Sequence, residues 1–328
     1  MSKDWTPKLI AAFATLYIVW GTTYLAIKVG LDAALPPALF AGIRLIPAGL
    51  ILLTVSALRG ASLRATVSQF RILAIVGILL LVGGQYGTFL AETRIPSGLA
   101  ALIVALLPLW IALAESLLPD MARPTARGYA GLVLGFAGLA VLMLPRLAEI
   151  GAVGVAVIVG MGIQIVATWL WASGSIYSKR RPTGLDGLVA TGWEMLIAGA
   201  VLVGLGTALG EWSRWVMTPK GLAALVYLIV FGSCVAFTAF TYALAHAPAS
   251  KVMTYAYVNP VIAVFVGWLF GRLGIIPAEP VTVSMIIGMM VIVAGVALTT
   301  SAPTRPPAHP GPAAAIDEPE LAAEPSEV

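Results

Sequence analysis

Polar and aromatic side chains in this sequence stand inside long apolar runs, where a lipid environment would make unpaired polar groups costly. Tyr17, Trp20, Tyr24 and Lys28 recur every three or four residues, so a helix aligns them in one stripe. Gln164, Thr168, Trp171, Ser175 and Lys179 form a second stripe of the same kind. This is recognition chemistry. Aromatic faces stack on flat apolar groups and hold ammonium by cation–π contact, while hydroxyls and amides orient a polar end. The expected binding wall is Trp20, Thr23, Tyr24, Gln85, Tyr86, Phe89, Trp110, Gln164, Thr168, Trp169, Thr241, Tyr255 and Asn259. Trp5, Trp212, Trp215 and Trp268 lie near segment ends and fit an interfacial belt instead.

Six charged residues read as gating groups or charge pairs: Lys28, Arg44, Glu92, Glu115, Lys179 and Glu194. Arg44 is expected to pair with Glu92 on one side, or to meet a substrate carboxylate. Glu194 should stand on the opposite side from Arg44. No carboxylate marks the centre of an apolar run. Facilitated transport is therefore expected, with proton coupling through Glu194 or Glu115 as the alternative. Bond-making chemistry has little to work with. Cys234 is the one cysteine, and the two histidines, His246 and His309, share no ligand spacing. No nucleophile–base pair, metal site or cofactor site is expected, and an enzyme is the remote alternative.

These groups need a scaffold, and composition names it. The chain has 328 residues, of which 60% are hydrophobic and 10% charged. Its mean hydropathy is +0.98. An ordinary soluble domain is about 25% charged. A membrane protein follows, with its few charges at segment ends and no nucleic-acid footprint. Spanning helices need about 20 apolar residues. Ten are expected, near 9–29, 37–58, 70–91, 96–118, 126–145, 152–178, 185–209, 219–244, 248–271 and 280–300. The first is longer than a signal-peptide core and no A-x-A site follows it, so it is read as retained. Residues 302–328 are rich in Pro, Ala and Glu and are expected to be a disordered tail. With residues 1–8 in the cytoplasm, twelve Lys and Arg fall on that side against six on the other, which places both termini inside.

The segments repeat. Trp20 and Lys28 match Trp171 and Lys179; Pro96 and Pro108 match Pro248 and Pro260; Gly42 and Gly49 match Gly192 and Gly199; Gly131 and Gly138 match Gly288 and Gly295. The order is colinear over five segments, giving repeats at 9–147 and 148–301. Five is odd, so the halves enter and leave on opposite sides and must be inverted. Inverted repeats around an in-plane two-fold axis are a recurring transporter architecture. The fold expected is an all-α membrane protein of ten transmembrane helices, two inverted five-helix repeats around a central cavity.

Trp20-Gly21-Thr22-Thr23-Tyr24-Leu25-Ala26-Ile27-Lys28, with Arg44, Pro108, Asn259-Pro260 and the Gly288–Gly295 pattern, resembles the EamA-type drug/metabolite transporters over residues 9–300. That resemblance implies a ten-helix exporter of small metabolites. Within the family the chain looks most like the branch exporting aromatic and other neutral amino acids. The implied setting is a bacterial inner membrane and the implied working unit a monomer. Nucleosides, sugar phosphates or proton-coupled drug efflux are the alternatives within the same fold.

Overall fold

The computed structural model describes residues 5–95, 97–148, 154–272 and 282–306. Its helices are α1 (Pro7–Asp32), α2 (Pro37–Leu58) and α3 (Val67–Glu92). After these come α4 (Ser97–Val104), α5 (Leu107–Leu117) and α6 (Ala126–Ala148). The second half holds α7 (Val155–Arg180), α8 (Gly187–Ala208) and α9 (Pro219–His246). It ends with α10 (Ala249–Val252), α11 (Tyr255–Arg272) and α12 (Val283–Ser301). Among the described residues, eight helical runs are long and apolar enough to cross a membrane: α1, α2, α3, α7, α8, α9, α12 and the stretch Ala249–Val266.

Local chemistry starts these helices where the sequence permits. Thr6 and Thr218 accept hydrogen bonds from Leu9 and Gly221, and each is followed by a proline whose missing N–H is unpaired at a first turn anyway. Thr66 and Gln69 close a capping box on α3, and the Asp186 carboxylate accepts from Leu188 and Val189 at the start of α8.

Two expected continuous helices are broken. The segment foreseen at 96–118 divides after Val104, because Pro108 removes the N–H that would reach residue 104 and its ring crowds that carbonyl. The segment foreseen at 248–271 divides after Val252. There the Thr254 hydroxyl donates to Lys251 O at 2.6 Å and holds a tight turn. The tail also begins differently. Thr304–Arg305 pairs antiparallel with Arg123–Pro124, so residues 302–306 are anchored to the loop before α6. The rest of the expected tail, with His309, lies outside the described residues.

Matched helices of the two halves pack on each other. The most extensive contacts are α6 with α12 and α2 with α8. A Cβ on Gly49 would stand 2.8 Å from Gly192 O, and one on Gly199 would stand 3.2 Å from Gly42 O. Likewise Gly131 approaches Gly295 O at 2.8 Å and Gly138 approaches Gly288 O at 3.0 Å, measured the same way. Both crossings are therefore antiparallel, and only glycine lets the backbones come this close. The remaining contacts exchange in the same manner. Helix α3 packs on α7 as α9 packs on α1, and α4–α5 lean on α7 as α11 leans on α1.

The loops sort into two ends. Lys8 over the Tyr242 ring, Arg180 with Asp120, Gln69 with Thr183 and the β pairing gather at the end where α1 starts and α12 finishes. That end is called the terminal end below. Ala38 and Leu39 with Glu211, and Gly221 against Leu35, gather at the far end.

Among the described residues, three helices carry a widened, π-type stretch: Leu16–Trp20 in α1, Ile78–Tyr86 in α3 and Leu228–Val235 in α9. Such turns free backbone carbonyls and often mark functional positions. Here the Gly232 carbonyl accepts from the Trp20 indole at 3.3 Å.

Candidate functional site

Between α1, α3, α7 and the α5 and α11 starts lies a half-enclosed cavity of about 80 Å³. Helix α1 supplies Trp20, Thr23, Tyr24 and Ile27, all on the face that its 3.6-residue period aligns. Helix α3 supplies Gly84, Gln85 and Thr88 from its widened stretch onward; α7 supplies Gln164, Ala167, Thr168 and Trp171. Val104, Leu107, Tyr255 and Asn259 come from the two broken helices. The breaks thus aim their own ends at the cavity.

An aromatic layer closes the cavity toward the terminal end. Trp20 meets Tyr255 edge-on at 4.7 Å, Phe240 at 5.2 Å and Trp171 at 5.6 Å between ring centroids. Phe237 joins behind, 6.2 Å from Trp171. Below this layer the Tyr17 hydroxyl bonds Thr254 at 2.8 Å. Thr254 spends its own proton on Lys251 O, so Tyr17 is the donor.

The polar side of the cavity is unsatisfied. Gln85 Oε1 and Gln164 Oε1 are buried without a hydrogen-bond partner among the described residues, beside the Asn259 amide and the Trp171 indole. Most buried polar atoms in proteins are paired, and leaving one unpaired costs about 1–3 kcal/mol. Their convergence on one cavity marks a place built to receive polar groups. Gln164 Nε2 donates to Thr88 Oγ1 at 3.2 Å, and one turn on the Thr168 hydroxyl donates to the Gln164 backbone carbonyl at 2.8 Å. Among the described residues, no Lys, Arg, Asp or Glu lines the cavity.

Eight of the foreseen wall residues lie on it: Trp20, Thr23, Tyr24, Gln85, Gln164, Thr168, Tyr255 and Asn259. The structure places the other five elsewhere. Trp169 is 60% exposed on the outer surface of α7, because a residue two places from inward-facing Trp171 points away from it. Tyr86 lines an outer groove with Val82 and Val159. Phe89 is buried against Phe40 and beneath Arg44. Trp110 packs in the core with its indole nitrogen unpaired. Thr241 bonds Thr191 and lines clefts at the terminal end. Thr88 and Trp171 were absent from the foreseen wall. Both had signals: Trp171 is the repeat partner of Trp20, and Thr88 follows Gln85 by one helical turn.

The charged groups stand outside the cavity. The expected Arg44–Glu92 pair is not formed. The Arg44 guanidinium lies over the Phe89 ring at 5.3 Å, and both Glu92 carboxylate oxygens are buried with no hydrogen-bond partner among the described residues. Lys28 bonds Asp32 within its own helix at 2.5 Å. Its repeat partner Lys179 behaves differently, donating at 2.7 Å to Leu244 O and to Ala247 O at the end of α9. Glu115 accepts from Ser250 N at 3.2 Å. Glu194 is buried on α8 beside a terminal-end cleft. In the loop nearby, Arg180 donates to Asp120 at 2.6 Å and holds that carboxyl below the usual carboxylate range. No cluster of three His, Cys, Asp or Glu that could bind a metal occurs among the described residues.

Known proteins resemble this chain in sequence and fold. The inner membrane transporter YedA of Escherichia coli is 32% identical over 286 residues, covering 87% of this chain and 90% of that protein. Protein PecM of Dickeya dadantii is 30% identical over 286 residues, covering 85% and 90% respectively. A crystal structure with 23% identity superposes with a TM-score of 0.74, covering 89% of this chain and 96% of its own, which speaks to the fold alone. The sequence pattern of the EamA-like transporter family matches twice in succession, at residues 8–144 and 158–301, as two repeated halves require. This multi-pass membrane protein is a transporter rather than an enzyme by its relatives, and it belongs to the EamA-like transporter family.

Proposed function

We propose that the protein is a secondary transporter that exports aromatic and other neutral amino acids by alternating access. The observation that carries this reading is the chemistry of the cavity. An aromatic floor of Trp20, Trp171 and Tyr255 lies beside partnerless amide groups, with no ionised side chain in the lining. A flat apolar side chain stacks on the floor. A zwitterionic backbone meets acceptors at Gln85, Gln164 and Asn259 for its ammonium, and donors at Trp171 and Asn259 for its carboxylate. A phosphate would lack a cation to neutralise it here, which argues against sugar phosphates.

In this reading the chain crosses the membrane ten times in two inverted halves, residues 9–147 and 148–301, with residues 1–8 and 302–328 in the cytoplasm. The antiparallel α2–α8 and α6–α12 crossings support the inversion. YedA is named an inner membrane transporter, which supports the same membrane for this chain. Each monomer holds a whole cavity, so one copy suffices. The terminal end is then cytoplasmic. The closed aromatic layer on that side supports a state shut toward the cytoplasm.

Counterflow in proteoliposomes tests the reading. Vesicles loaded with unlabelled substrate and given labelled Phe, Trp, Thr or Met should exchange without a pH gradient, and a sugar phosphate should not. Trp20→Ala or Gln85→Ala should slow exchange roughly tenfold, the worth of about 1.4 kcal/mol of lost stacking or hydrogen bonding. If no amino acid exchanges with or without a pH gradient, the substrate assignment fails.

A further inference from the structure

Two residues that match each other in the repeat are also in contact. Trp20 and Trp171, separated by 151 positions, stack edge to face at 5.6 Å. A matched pair in contact lies on the axis that exchanges the halves, so exchange leaves it in place. Leu107 and Asn259, matched at an offset of 152, both line the cavity and behave likewise. Every other lining residue must move to its counterpart. The register of α3 on α9 follows from Pro96 and Pro248 at the same offset of 152, and packing agrees with it. Gly174 packs on Leu80, and their counterparts Thr23 and Gly232 pack on each other.

Exchange turns four polar wall residues into aromatic ones, while Thr23 and Asn259 become Gly174 and Leu107, and Tyr24 and Tyr255 become Ser175 and Ile103. Gln85 becomes Phe237, Thr88 becomes Phe240, Gln164 becomes Phe13 and Thr168 becomes Tyr17. These four now form and underlie the closed layer, with Trp20 and Phe237 rings 6.3 Å apart and Phe13 and Tyr17 rings 6.0 Å apart. Room to part them exists. Two clefts of 490 and 590 Å³ open at the terminal end on either side of α9, lined by Thr241 and by Leu244 or Tyr242, a turn beyond Phe237 and Phe240. The polar contacts at that end include Tyr17 with Thr254, Lys179 with the Leu244 and Ala247 carbonyls, Arg180 with Asp120 and Thr191 with Thr241.

We infer that the alternate state opens a second binding face at the terminal end, in which Phe13, Tyr17, Phe237 and Phe240 surround the same Trp20–Trp171 pair and hold the aromatic side chain of the substrate. The inference deepens the amino-acid reading and rests on it for the ligand. The two faces of the path are chemically unlike. One face is lined by rings and takes an apolar side chain out of water. The other shares the Trp20–Trp171 floor but is walled by amides and hydroxyls that water can also satisfy. A substrate rich in apolar surface binds tighter to the first and leaves more readily from the second, which suits export.

The test uses the full chain with Cys234→Ser, reconstituted and carrying single cysteines, and a membrane-impermeant maleimide applied to either side. A C-terminal tag reports which side holds the termini. Phe237→Cys and the smaller change Ser175→Cys (the counterpart of Tyr24) should label only from the terminal side, with labelling reduced at least fivefold by saturating L-phenylalanine. Gln85→Cys should label only from the far side. Labelling of Phe237→Cys or Ser175→Cys from the far side, or of neither from the terminal side while the parent still performs counterflow, overturns the second face. Terminal-side labelling without any amino-acid counterflow keeps the face and removes the amino-acid ligand.

Discussion

Lys179 and Lys28 occupy matched positions and do different things, and the difference is a record of which end is shut. Lys179 bridges α7 to the last carbonyls of α9, whereas Lys28 stays with Asp32 on its own helix. Hydrogen bonds from a charged donor are worth about 1.5–3 kcal/mol each when partly buried. Lys179→Met should therefore loosen the terminal end and favour the state open there. Maleimide labelling of Ser175→Cys from the terminal side should rise several-fold in that background; unchanged labelling would mean that Lys179 merely fills space. Both lysines were legible as a matched pair because charge in an apolar run is conspicuous. Their partners were not, since carbonyls carry no sequence signal. Trp169 shows the opposite failure: its type suggested a binding wall, but helical phase relative to Trp171 turns it outward. Arg44 and Glu92 were legible as charges on one side, while the Phe89 ring that Arg44 lies over depends on packing no spacing rule contains.

Glycine spacing carried the helix crossings into the sequence. Gly42, Gly49, Gly192 and Gly199 repeat at matched places, and each meets the opposing backbone in the folded chain. A Cβ at Gly49 would press on Gly192 O at 2.8 Å, with no flexible side chain to give way. Gly49→Leu should destabilise by overpacking, by about 1–3 kcal/mol or more. Gly162, where a Cβ would meet no other part of the fold within 4 Å, should accept alanine without loss. Melting temperature in detergent separates the two, and equal behaviour would contradict the crossing geometry. The widened turns in α1, α3 and α9 left no comparable trace. Their extra residue per turn is fixed by contacts such as Trp20 with the Gly232 carbonyl, between residues more than 200 positions apart in the chain. The breaks before α5 and α11 were half legible: Pro108 and Pro260 announced weak helix, but the Thr254 turn that places the second break did not stand out.

At the scale of the whole molecule, the charge-free cavity makes a statement about energy. A neutral zwitterion crossing through a lining without Lys, Arg, Asp or Glu moves no net charge, so the membrane potential should do no work on the cycle. One elementary charge crossing 100 mV is worth about 2.3 kcal/mol, which corresponds to roughly 40-fold accumulation at equilibrium. Proteoliposomes holding a potassium diffusion potential near that size should therefore take up labelled phenylalanine to the same level as vesicles held at zero potential. Accumulation that follows the potential would mean that a cation travels with the substrate. The buried carboxyls outside the cavity would then acquire a role, with Glu92 the first to examine, since its two oxygens have no hydrogen-bond partner among the described residues. Glu92→Gln would separate the cases: it should leave phenylalanine exchange nearly unchanged if transport is facilitative, and should abolish the response to potential if Glu92 carries the proton.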